Sequence, residues 1–162
     1  MRSPTWLRGA DLDQLAEAAR GTPRLRTNLN LHAMDDRVHR LLNAIEPGSY
    51  VRPHRHLAPP KAETVVVVRG SLGLVLFDES GAVVGSGRLS ADPSATFGAE
   101  VPAGAIHSFV ALEGGTVFFE VKEGPYVAPA GEDLPAWAPA EGDAAAPAYE
   151  ASLRALFGGL AG

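Results

Sequence analysis

The spacing of apolar residues changes twice along this chain. Between Asp11 and Arg20, Leu12, Leu15, Ala16 and Ala19 recur at i, i+3, i+4 and i+7, which predicts a short helix with one apolar face. Asp11 followed by Gln14 has the form of a capping box, and Gly21-Thr22-Pro23 predicts the stop. From Arg24 the period becomes two. Leu25, Leu29 and Leu31 share one face, while Arg24, Arg26, Asn28, Asn30 and His32 share the other, the pattern of a half-buried strand.

Further strands are predicted at Val38 to Ile45 and Tyr50 to His56, where Pro53 restricts the second to an edge, a strand start or a bulge. Val65 to Val68 is a run of valines, consistent with a strand covered on both faces. Leu72 to Phe77 and Ala82 to Leu89 flank the turn "DESG", and Thr96 to Val101, His107 to Leu112 and Thr116 to Lys122 complete roughly nine strands. Strands of this length and spacing predict an all-β sandwich or barrel, with the two sets falling on either side of the Asp78–Gly81 hairpin, as suits a jelly roll.

After Gly124 the texture changes to Pro, Ala, Gly and acidic residues. The expected organisation is a helix and lead-in over 1–23, a barrel over 24–126, and a tail over 127–162 that packs on the barrel and closes with a helix near Pro147 to Leu156. Trp137 is the expected anchor, because a lone large aromatic finds a surface to bury against.

Composition narrows the function classes. The 162 residues carry a formal charge of -5, which gives no basic excess for nucleic acid. The absence of cysteine excludes disulfides, thiolate ligands and cysteine nucleophiles. The N-terminus lacks a long apolar segment and no apolar run approaches the length of a membrane span, so a cytoplasmic protein with no membrane contact is expected. No glycine-rich phosphate loop or hydrolase-type serine elbow is present.

The chemistry concentrates in four residues. His54 and His56 are two apart, so a strand places both imidazoles on one face. Glu63 opens the valine run, and His107 follows the turn Pro102-Ala103-Gly104. Three imidazoles and a carboxylate would hold one divalent transition metal ion, Mn, Fe, Co, Ni or Zn, with positions left open. Glu100 and Glu120 are the alternative carboxylates. Arg52 and Lys61 would attract an anionic substrate, and Asn30 and His32 would contact a ligand if their polar face lines the barrel mouth.

The same residues carry a family resemblance. Gly48, His54, His56, Glu63 and Gly70 resemble the first motif of the cupin superfamily, with a six-residue spacer before Glu63 that is longer than the general pattern. Pro102-Ala103-Gly104-Ala105-Ile106-His107 resembles the second motif, with Thr96 and Ala111 standing where that pattern carries glycine and asparagine. The segments "RLLNAIEPGSYVRPHRH", "FEVKEGPY" and "WAPAEGD" resemble the WbuC-type cupin fold metalloproteins, some encoded beside bacterial surface-polysaccharide genes. The resemblance implies a double-stranded β-helix, the cupin jelly-roll barrel, with a short leading helix and an extended C-terminal tail.

The function expected from this is Lewis-acid catalysis on a small polar or anionic sugar-related substrate, of isomerase or epimerase type. An iron-dependent dioxygenase and a non-catalytic metal-dependent binding module are the alternatives. Exposed sheet edges require cover, which favours a homodimer.

Overall fold

The period-two segments become eight strands in the computed structural model, which describes residues 3–158. In chain order the elements are α1 (Gly9–Arg20), β1 (Arg26–Asn30), β2 (Val38–Ile45), β3 (Glu63–Arg69), β4 (Ser71–Phe77), β5 (Val83–Ser90), β6 (Gly98–Val101), β7 (Ile106–Ala111), β8 (Thr116–Glu123) and α2 (Ala146–Ala155). Five strands form one sheet in the order β1-β2-β8-β3-β6, and three form the other in the order β5-β4-β7. All of the paired strands are antiparallel. This is the all-β jelly roll expected from the sequence, but the sheets do not divide at the Asp78–Gly81 hairpin. That hairpin joins β4 to β5 inside the smaller sheet, while β3 and β6 belong to the larger one.

Three apolar clusters build the layers. Between the sheets lie Ile45, Val65, Val67, Leu72, Leu74, Phe109 and Phe118, all buried. On the outer face of the larger sheet, Ala19 of α1 packs with Leu42, Ala44 and Val117. On the outer face of the smaller sheet, Leu153 and Phe157 pack with Val75, Phe77, Ile106 and Val110. The order is therefore helix, sheet, sheet, helix. This explains why β4 is almost wholly buried along its length, whereas β3 alternates. The valine run is covered on one face only: Val65 and Val67 point inward and Val68 is 40% exposed.

Other boundaries depart from the periodic reading for local reasons. The helix begins at Gly9, and Asp11 sits in its first turn, where its carboxylate accepts the Arg8 N–H at 2.6 Å. Tyr50 to His56 forms no regular strand. Pro53 lacks an N–H for a ladder, and the segment keeps a single antiparallel bridge, His54 to His107. On β1 the burial is inverted relative to its leucines. Arg26 and Asn28 share the inner face, in register with Ile45 and Asn43, while Leu29 on the other side is 38% exposed.

The tail lies against the barrel. Trp137 packs on Phe77 with ring centroids 5.2 Å apart and donates its indole N–H to the Glu79 carbonyl at 3.1 Å. The Tyr50 hydroxyl donates to the Pro139 carbonyl at 2.8 Å. Farther on, Phe157, two residues past α2, sits where β4 has no side chain: a Cβ on Gly73 would meet Phe157 at 2.5 Å and Val110 at 2.8 Å. Phe157→Ala should therefore lower stability by about 3 kcal/mol in denaturant titration, the usual cost of emptying a buried aromatic site. Gly73→Ala should act in the same direction by forcing the ring outward. An unchanged midpoint in both variants would refute the docking of α2 on β4.

Candidate metal centre and its cavity

The four residues singled out by sequence converge between the two sheets. His107 lies on the inner face of β7, and His54 pairs with it through two backbone hydrogen bonds, His54 N–H to His107 O at 3.0 Å and His107 N–H to His54 O at 2.9 Å. Cross-strand partners share a face, so the imidazoles stand together, with ring centroids 4.5 Å apart. Glu63 opens β3 in the opposite sheet, where its register partners are Lys122 and Val101. The carboxylate thus arrives across the sandwich and not from a strand neighbouring the histidines. Gly104, at φ +77°, provides the tight turn before β7 and lies in a backbone region costly for other residues.

Ligand atoms of His54, Glu63 and His107 all lie within 4.8 Å of one another. The fourth member, His56, brings Nε2 to 2.7 Å from Glu63 Oε1. The second-neighbour carbonyls orient two rings in the same way. His54 Nδ1 is 3.0 Å from Arg52 O, and His107 Nδ1 is 3.0 Å from Ala105 O. A carbonyl only accepts, so each Nδ1 carries the proton and each Nε2 is left for another partner. His107 Nε2 then faces Glu63 Oε2 at 3.1 Å, two electron-pair donors that require a proton or a cation between them. The donor chemistry fits a divalent metal.

Electrostatics favour the same occupant. Burial, then the neighbouring His107, push the His54 imidazole down to about 3, so it stays neutral in ordinary buffers. Burial pushes Glu63 up, but its contacts with the His107 and His56 imidazoles and the charge of Lys122 outweigh it and hold the carboxyl well below its usual range. Two binding-competent protonation states are therefore maintained at neutral pH.

Beside this cluster is a cavity of about 210 Å³ lined by His54, Glu63, Asn28, Asn43, Glu120 and Lys122, with Arg24 and Arg26 at its β1 side. Glu120 and Lys122 are two apart on β8 and face inward with Glu63. Lys122 Nζ donates to Glu63 Oε1 at 2.9 Å and lies 2.6 Å from Glu120 Oε1. Asn43 donates to Glu120 Oε2 at 2.8 Å, while the buried Oε1 has the Lys122 ammonium as its neighbour. Glu100 is exposed on β6, away from the cluster.

The remaining residues singled out by sequence lie elsewhere. Lys61 is buried and donates to the Pro125 carbonyl at 2.7 Å. Arg52 donates to the Pro135 carbonyl at 3.2 Å. Asn30 accepts from Asn28 at 2.5 Å beyond the cavity, and His32 stacks on His39 at 4.0 Å beside the β1–β2 turn. Of the polar face on β1, Arg26 and Asn28 reach the cavity. Sequence reasoning offered Glu120 only as an alternative metal-binding carboxylate and missed Lys122 as a cavity group. Their signal was two charges at period two in "FFEVKE", beside apolar residues that a core strand would need.

Chelator-stripped protein should bind one divalent transition ion in calorimetric titration. Glu63→Gln or His107→Ala should weaken binding by more than about 100-fold, because loss of a mere hydrogen-bond partner of a metal ligand already costs roughly 10–100-fold. Unaltered affinity in either variant would remove these residues from the ligand set.

Acid should destabilise the metal-free protein in two stages. Unfolded histidine gains its proton near 6.5 while folded His54 resists protonation to about 3. Its stabilising contribution is complete above 6.5 and declines as the pH falls. The depressed Glu63 adds a loss only below its ordinary 4.5. His54→Gln should flatten the unfolding free energy between pH 6.5 and 4.5. Parallel profiles for parent and variant would contradict this assignment.

Comparison with known proteins places the fold and the family. KdgF from Halomonas sp. is 19% identical with a TM-score of 0.50, the match covering 65% of this chain and 84% of that one. TT1209 from Thermus thermophilus is 21% identical with a TM-score of 0.50, covering 70% of this chain and 93% of that one. A single-residue variant of Bacillus subtilis oxalate decarboxylase is 22% identical with a TM-score of 0.48; 64% of this chain matches 26% of that longer chain. The likeness to the first two establishes the cupin jelly roll as the fold. No curated protein matches the chain. No helix among the described residues is long and apolar enough to cross a membrane. The family described as a domain of unknown function, DUF6016, matches residues 7–89, a span that contains His54, His56 and Glu63. The chain belongs to that family, and its members' defining segment is here the first half of a cupin barrel.

Proposed function

We propose that this protein is a metal-dependent enzyme that moves a proton on a small anionic, sugar-related substrate, an isomerase or epimerase type of step. The observation that carries the reading is the pairing of two walls in one cavity. One side is lined by His54 and Glu63 of the four-residue cluster; the other by the Glu120 carboxylate, next to the Lys122 ammonium. The resemblance of the quoted segments to WbuC-type cupins supports a sugar-derived substrate from bacterial surface-polysaccharide metabolism.

A divalent metal held by His54, His56, Glu63 and His107 would supply Lewis-acid polarisation of a carbonyl or hydroxyl oxygen. The chain's own residues do the rest. Burial pushes the Lys122 ammonium down, but Glu120 and Glu63 outweigh this and hold it above the usual lysine range, so it remains a fixed positive charge. Such a charge stabilises negative charge developing on substrate oxygen. Glu120, which lines the cavity and has Oε2 fixed by Asn43, would accept the proton. The cavity of about 210 Å³ has the room of roughly seven water molecules, which limits the reacting end of the substrate to a small group.

Incubation of metal-loaded protein with small sugars, sugar acids and keto acids in deuterated water tests this. Proton abstraction exchanges a substrate C–H for deuterium, read by NMR whichever product forms. Glu120→Gln should slow exchange by about 100-fold or more while retaining the metal. Tight binding without exchange would replace the proposal with a binding module, and oxygen uptake by the Fe(II)-loaded protein would replace it with a dioxygenase.

A further inference from the structure

We propose that Arg24 and Arg26 form an anion subsite at the cavity mouth, that it takes the distal carboxylate or phosphate of an elongated substrate, and that Glu141 of the tail is its resident stand-in. The inference deepens the proposed function, since the other end of that substrate would lie at the metal-bearing wall.

Three observations support it. First, the two guanidinium groups grip one carboxylate. Arg24 Nε and Nη2 lie 2.5 and 3.0 Å from the Glu141 oxygens Oε1 and Oε2, and Arg26 Nη2 lies 2.9 Å from Oε2. Planar donors paired on a carboxylate are equally suited to a phosphate. Second, Arg26 is preset for the task. It stands on the inner face of β1, its side chain is only 19% exposed, and its Nη1 is tied to the Tyr50 carbonyl at 2.7 Å. Glu141 is its only ion-pair partner among the described residues. Third, the grip is a partition. Arg24 and Arg26 line the inner cavity and also an outer pocket of about 350 Å³, whose wall includes Glu141, Gly142, Asp143 and Tyr50. Exchanging Glu141 for a substrate anion leaves the arginines satisfied and gives the ligand both spaces.

Glu141 is a weak tenant by position. Its side chain is 41% exposed and its neighbours Ala140 and Asp143 form a local turn, while Trp137 and Pro139 anchor the tail upstream. An internal competitor lowers apparent affinity by the fraction of time it occupies the subsite.

Calorimetric titration with acetate, succinate and inorganic phosphate tests the proposal in metal-free and metal-loaded protein. Glu141→Gln should bind succinate or phosphate about fivefold more tightly than the parent without metal, the margin expected when an exposed ion pair keeps a site closed. Arg26→Gln in the Glu141→Gln background should abolish that gain. Trp137 fluorescence shows whether the tail stays docked in each variant. The preference for succinate or for phosphate identifies the anion. No gain for either anion with the tail docked, or a gain that survives Arg26→Gln, overturns the subsite. A gain without metal that metal loading fails to extend for succinate supports the subsite and counts against the metal-enzyme reading instead.

Discussion

A carboxylate buried between two β-sheets determines much of this molecule. Glu63 is 2% exposed, so its charge must be balanced within the sandwich. Its balance comes from three directions: Lys122 along its own sheet, and His56 and His107 from the opposite side. Lys122 in turn requires Glu120, and Glu120 requires Asn43. One internal acid thus fixes the inner-face residues of three strands. A hydrophobic replacement could be as stable; what it would lose is the ability to face a cation.

The barrel supports this polar group by dividing its inner space. The Val65, Leu72, Leu74, Phe109 and Phe118 region forms a dry core, and the β1 end of the same interior is lined by Arg26, Asn28, Asn43 and Glu120. A polar stripe runs diagonally across the larger sheet: Glu63 is in register with Lys122, the neighbouring Glu120 accepts from Asn43, and Asn43 is in register with Asn28. Further apolar surface is buried outside the sandwich, under α1 and α2.

Much of this architecture was legible in the residues. Val38–Ile45 reads directly as a strand and is one, and the histidine pair, Glu63 and His107 do meet. Periodicity gives the faces of a strand but not which face is inside. On β1 the leucines look like the core side, yet a functional interior draws the arginine and asparagine inward. The valine run reads as doubly covered because nothing in its composition reveals that Val68 faces out. Spacing alone also assigns Lys61 to the open side of the site, whereas its ammonium is committed to Pro125. Residues such as Glu141 were illegible because their role depends on a tail contact more than a hundred positions away from Arg24.

The delivery of Glu63 from one sheet and of His54 and His107 from the other has a consequence for the order of assembly. No hairpin contains the cluster: its members span residues 54 to 107, and the strands that present them belong to different sheets. Neither sheet alone assembles the set. The loops joining these positions must close and the sheets must dock before the ligands meet. A cation that recognises the complete set can therefore lock the closed sandwich but cannot template its early collapse, unlike ions that nucleate small domains around a local motif.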